Sequence, residues 1–112
     1  MPRILIQPAR GRVRVTFNGE VVAESAEALR LEEGSYPPVY YLPRRDVKME
    51  RLIRTSHTTH CPHKGDATYF NLGNGRTAHN AVWSYERPLD QVKAIKDHLA
   101  FYPDKVDSID CT

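Results

Sequence analysis

Two Asn-Gly dipeptides, Asn18-Gly19 and Asn74-Gly75, constrain this chain more than any other feature. Asn18-Gly19 stands between two β-prone runs, where both central residues of a type I′ turn need positive φ, which Asn and Gly tolerate best, and Asn74-Gly75 lies in the turn between two others. Residues 12–17 alternate with period two, and Glu20 to Glu24 form the return strand. Val13, Val15 and Phe17 therefore share a buried face, while Arg12 and Arg14 face water. Residues 67–72 and 77–85 read as the second hairpin.

Between the hairpins, residues 26–33 lean towards strand. Val39 to Leu42 is a strand stopped by Pro43, which cannot donate to a ladder. Residues 46–53 fit neither period. Residues 55–66, rich in Thr, His, Cys, Pro and Gly, read as an irregular loop. Leu89, Val92, Ile95 and Leu99 lie on one face of a helix opened by Pro88. Residues 100–102 and the Val106–Ile109 region suggest short final strands. The expected fold is mainly β, two packed antiparallel sheets of short strands with one or two short helices. Residues 1–112 suit one domain, which should expose roughly 6,300 Å² when folded.

Sixteen Lys+Arg against 14 Asp+Glu leave a charge of +2. A dedicated nucleic-acid binder would be far more basic, so no such partner is expected. No apolar run is long enough to span a bilayer, and Met1 to Pro8 lack the apolar stretch of a signal peptide. Two distant thiols, Cys61 and Cys111, suit a reducing compartment, so a cytoplasmic location is expected.

Reactive side chains concentrate in Ser56 to Asp66. His57, His60, Cys61 and His63 are acceptable metal ligands, with His79 and His98 as distant additions, but no Cys-x-x-Cys pair accompanies them. No metal and no cofactor is expected. An activated thiol is the competing reading, since His60 and Lys64 lie near Cys61 and positive charge favours the thiolate. Asp46 or Asp66 could orient a histidine. A cysteine packed as a small hydrophobe is the plain alternative. The aromatic set is Tyr40, Tyr41, Tyr69, Phe70, Trp83, Tyr85, Phe101 and Tyr102; alternation puts Tyr41, Tyr69, Trp83 or Tyr85 on one face or the other of its strand, with neighbours such as Tyr40 and Phe70 pointing oppositely. The set is either core and edge packing or the wall of a pocket, with Arg44, Asp46 and Lys64 as the pocket's polar groups.

The segments Tyr41-Leu42-Pro43-Arg44-Arg45-Asp46-Val47, His60-Cys61-Pro62-His63-Lys64-Gly65-Asp66-Ala67-Thr68-Tyr69-Phe70, Asn80-Ala81-Val82-Trp83-Ser84-Tyr85 and Ala100-Phe101-Tyr102-Pro103 follow in that order. Together they resemble the domain-of-unknown-function 427 family. The family pattern often has an aromatic where this chain has His63. The resemblance implies a β-tent fold, shared with methionine sulfoxide reductases of the second class and the ligand-binding domain of cereblon. Several β-tent proteins hold zinc through two cysteine pairs, which this chain lacks. The matched positions are Tyr41, Arg44, Asp46, Cys61, Lys64, Gly65, Tyr69, Trp83 and Tyr85.

Three functions follow as expectations. In the first, a small-molecule enzyme uses Cys61 as nucleophile, with Asp46 in a catalytic role and Arg44 and Lys64 binding an anionic group. Tyr41, Tyr69, Trp83 and Tyr85 would wall the ligand. In the second, the same aromatics form a non-catalytic ligand cage. In the third, the domain is structural and pairs with a second copy along a sheet edge. Asp46 and Lys64 are further expected to pair as opposite charges drawn from two loops.

Overall fold

The computed structural model describes residues 3–112; Met1 and Pro2 of the expected domain lie outside the described residues. The first Asn-Gly hairpin joins β2 (Val13–Phe17) to β3 (Glu20–Ser25), with Asn18 and Gly19 both at positive φ as the turn demands. Strand β10 (Ser108–Cys111) adds to the free side of β2, giving an antiparallel sheet ordered β10-β2-β3. Val13, Val15 and Phe17 are fully buried, as the alternation requires. A second sheet is ordered β1-β4-β5, from β1 (Ile4–Pro8), β4 (Leu29–Glu33) and β5 (Val39–Tyr41).

The largest sheet is ordered β6-β7-β8-β9. It comprises β6 (Leu52–Cys61), β7 (Gly65–Gly73), β8 (Thr77–Ser84) and β9 (Ala100–Phe101). Both its faces are covered. Phe70, Leu72, Ala78 and Val82 pack with Val13, Val15, Phe17 and Val22. On the opposite face Ala67 and Tyr69 pack with Leu31 and Tyr41. Three antiparallel sheets thus stand where two were expected, because β7 carries apolar residues on both faces and each needs its own cover. The described residues expose 6570 Å², close to the size expectation.

Two local readings are corrected. Residues 55–61 are strand, not loop. Thr55, Thr58 and Thr59 are β-branched, and a half-exposed edge strand tolerates the intervening Ser and His. The expected α-helix at 88–99 is a pair of 3-10 turns at Asp90–Ile95, broken at Val92 with φ −124°. Leu89, Val92 and Ile95 recur at intervals of three, which is the 3-10 period. Asp97 then takes φ +63°, and Leu99 exchanges backbone hydrogen bonds with Leu42. Pairing with a neighbouring strand ends the helical run.

The tips of the two Asn-Gly hairpins meet. Asn18 Nδ2 donates to the Asn74 carbonyl at 2.6 Å, and Asn74 Nδ2 donates to the Phe17 carbonyl at 3.3 Å. Asp107 Oδ2 accepts the Gly19 N–H at 2.8 Å. The Arg76 guanidinium lies 4.3 Å from the Phe17 ring centroid and 3.6 Å from Asp107. This clasp ties the β10-β2-β3 sheet to the largest sheet.

Candidate functional site: an aromatic cavity closed by an ion pair

The β6–β7 hairpin closes through Pro62, His63 and Lys64. The Lys64 N–H returns to the Cys61 carbonyl at 3.2 Å, and Gly65 follows at φ +111°. This is a tight turn completed by a glycine at positive φ. A Cβ on Gly65 would also meet the Arg87 carbonyl at 3.2 Å, while the Lys64 carbonyl accepts the Leu89 N–H. The Cys-Pro-His-Lys-Gly stretch is therefore a turn pressed against residues 87–89, and it directs Lys64 inward. Gly65→Ala should cost about 2 kcal/mol, since strained backbone costs about 1–3 kcal/mol per residue. Thermal unfolding measures it, and an unchanged melting temperature would refute it.

Lys64 Nζ donates to Glu33 Oε1 at 2.5 Å. Their side chains are 12% and 16% exposed, the least exposed ion pair among the described residues. Burial by itself would lower the Lys64 pKa. The Glu33 hydrogen bond, aided by the Glu33 charge, outweighs it and raises the pKa overall.

The pair lies in a cavity of about 260 Å³ whose other walls include Tyr41, Tyr69, Trp83, Tyr85 and Tyr102. The rings brace each other. Trp83 meets Tyr41 edge-on at 6.3 Å and Tyr102 at 4.5 Å, and its indole N–H donates to the Tyr41 hydroxyl at 3.3 Å. Tyr69 and Tyr102 stack with their hydroxyls 3.3 Å apart, and Thr59 reaches the Tyr69 hydroxyl at 3.0 Å. Burial pushes the Tyr41, Tyr85 and Tyr102 phenols up, so all three stay neutral at physiological pH, and the Tyr69 hydrogen bond adds to Tyr102. A second cavity of about 230 Å³ lies beyond Trp83, lined mainly by apolar side chains such as Val15, Leu42 and Ile109.

The structure divides the residues expected at one site. Tyr41, Lys64, Tyr69, Trp83 and Tyr85 share the aromatic cavity. Cys61 is half-buried at the end of β6, and its carbonyl accepts the Lys64 N–H. Arg44 and Asp46 do not line the cavity. Arg44 donates to Ser84 Oγ, Glu86 and the Asp97 carbonyl, and its guanidinium lies 5.8 Å from the Phe70 ring. Asp46 accepts the Ser25 hydroxyl at 2.6 Å. The expected Asp46–Lys64 pair is corrected to Glu33–Lys64. Asp46 sits in the 3-10 turn Arg44–Asp46, which packs on β3 and gives it Ser25 as its partner. His60 pairs with Asp66 at 2.7 Å, and both are well exposed. The His57 ring lies 4.6 Å from Tyr69.

Residues 5–111 match the family model described as Domain of unknown function (DUF427). The chain belongs to this family. No curated protein matches it. Within this DUF427 chain, the Cys-Pro-x-Lys-Gly turn and the Trp-x-Tyr of β8 and its exit meet at the cavity.

Glu33 was not among the expected site residues, although a signal for it exists. Leu29, Leu31 and Glu33 share one face of β4, which places a carboxylate at the end of an apolar row. Tyr102 was visible only as a member of the aromatic set.

Proposed function

We propose that the aromatic cavity binds a small, neutral, planar molecule carrying a lactam or carboxamide edge. The Lys64–Glu33 pair at the cavity wall carries this reading. Lys64 has three N–H donors and gives one to Glu33, whose second oxygen makes no hydrogen bond to the described protein. A donor and an acceptor therefore stand side by side among six aromatic side chains, Tyr36 included. A lactam edge presents the matching acceptor and donor, and its ring suits the walls. An anion suits this cavity less well, since Glu33 offsets the Lys64 charge and Arg44 is engaged elsewhere.

The proposed partner is thus a small molecule rather than nucleic acid, in keeping with the charge of +2. Among the described residues no helix is long and apolar enough to cross a membrane. Two free thiols fit the reducing cytoplasm, the proposed location. A second reading keeps Cys61 as the nucleophile of an enzyme acting on the same ligand. Its support is the place of Cys61 at the end of β6, on the turn whose Lys64 N–H returns to the Cys61 carbonyl.

Trp83 is the chain's only tryptophan and lines both the aromatic cavity and the apolar one beyond it, so sensitivity to Glu33→Gln assigns the quenching to the aromatic cavity. Titration with 2-pyridone or benzamide should quench it saturably, and Glu33→Gln should weaken binding about tenfold, the loss expected for one hydrogen bond to a charged group. Cys61→Ser should bind as well as the wild type; loss of binding there would favour the enzyme reading. Absence of saturable quenching by either probe, or equal binding by benzenesulfonate, would overturn the proposal.

A further inference from the structure

A polar hollow of about 580 Å³ lies on the β6-β7-β8 sheet, lined by Thr55, Ser56, His57, Thr58, Asn71, His79 and Asn80. It exists because the ladder fails there on both sides of β7. The β6 register shifts between Arg54 and Thr58, and the β7–β8 register shifts between Phe70 and Leu72. Bulges of this kind concentrate next to functional sites. Side chains replace the missing ladder bonds. Asn71 Oδ1 accepts the Asn80 N–H at 2.9 Å, and Thr55 Oγ1 donates to Asn80 Oδ1 at 2.7 Å while accepting the His57 N–H at 3.2 Å. Asn80 itself is held at φ +49°.

The consequence is a one-sided chemistry. Both asparagines are fixed through their oxygens, and their NH2 groups make no hydrogen bond to the described protein. His57 and His79 add ring nitrogens, Ser56 and Thr58 add hydroxyls, and no carboxylate lines the hollow. The two amide NH2 groups are donors only, with no carboxylate beside them, and a ligand rich in acceptors is what they match. We propose that this hollow is an oxyanion-binding site, taking a phosphate or carboxylate group on the Asn71 and Asn80 amides and the His57 and His79 imidazoles. It is separate from the aromatic cavity, across the His57 and Tyr69 rings.

Inorganic phosphate titrated into the full chain at fixed pH and ionic strength should shift the His57 and His79 ring resonances saturably. Trp83 fluorescence should not change. Acetate distinguishes the two ligand sources: saturation by acetate as well assigns carboxylates to the site, and saturation by phosphate alone assigns phosphate esters. Asn71→Asp keeps the oxygen that receives the Asn80 N–H and exchanges the NH2 for an anionic oxygen, so it should weaken phosphate at least tenfold without lowering the melting temperature. Asn80→Gly tolerates the positive φ and removes one amide, and should weaken it severalfold. Shifts that do not saturate, shifts reproduced by chloride, or full affinity in Asn71→Asp would overturn the assignment, whatever 2-pyridone does at Trp83.

Discussion

Glu33→Gln and Lys64→Met will each lower the stability of the fold by about 3 kcal/mol, and the double variant will lose clearly less than their sum. Breaking a fully buried pair costs about 3–5 kcal/mol, because the survivor is an uncompensated charge held out of water. The slight exposure of these two side chains places the loss at the lower end. At about 4 °C per kcal/mol for a chain of this size, the melting temperature should fall by roughly 12 °C. Replacing both charges removes the desolvation penalty together with the attraction, and so restores part of the loss. Denaturant unfolding of the four proteins measures the coupling. Additive losses below about 1 kcal/mol would show that water screens the pair as it does surface pairs.

Raising the pH above about 10 should unfold the protein cooperatively. The buried Tyr41 and Tyr85 phenols have folded pKa values above the ordinary ~10 of the unfolded chain. Above that pH the unfolded state releases protons that the folded state keeps, so stability falls by about 1.4 kcal/mol per pH unit for each phenol, or about 2.7 kcal/mol for the two. Lys64 acts in the same direction. Its folded pKa is raised, so its contribution is complete below the unfolded value of ~10.4 and is lost as the pH climbs through the folded value. Phenolate absorbance should rise for the exposed tyrosines first and for Tyr41 and Tyr85 only with the loss of near-ultraviolet circular dichroism. Reversible titration of all six tyrosines near pH 10, with the folded spectrum intact, would refute it.

Both hairpins, the strands at 29–33 and 39–41, and the division of aromatics between faces were legible because they depend on local period and turn chemistry. Tyr41, Tyr69, Trp83 and Tyr85 share one cluster while Phe70 lies in the other, with Tyr40 packed against it, as strict alternation requires. The partner of Lys64 was not legible in that way. Glu33 is 31 positions away, and only the stacking of β4 over the β6–β7 turn brings it near. Arg44 and Asp46 mislead for the opposite reason. They are close in sequence to Tyr41, yet the turn after Pro43 carries them towards Ser84 and Ser25 instead. The 3-10 turns at 90–95 differ from an α-helix by a single residue of spacing, and the Leu42–Leu99 pairing decides between them.

The clasp between the hairpin tips also governs how the molecule ages. Asn-Gly is the dipeptide most prone to deamidation, which begins when the glycine nitrogen attacks the asparagine amide carbon. Here the Gly19 nitrogen is turned to Asp107, and the Asn18 and Asn74 amides are tethered to each other's strands. The closed clasp should therefore slow the reaction, most of all at Asn18, and isoaspartate at these two positions should build up faster in any variant that loosens the contact between the two sheets.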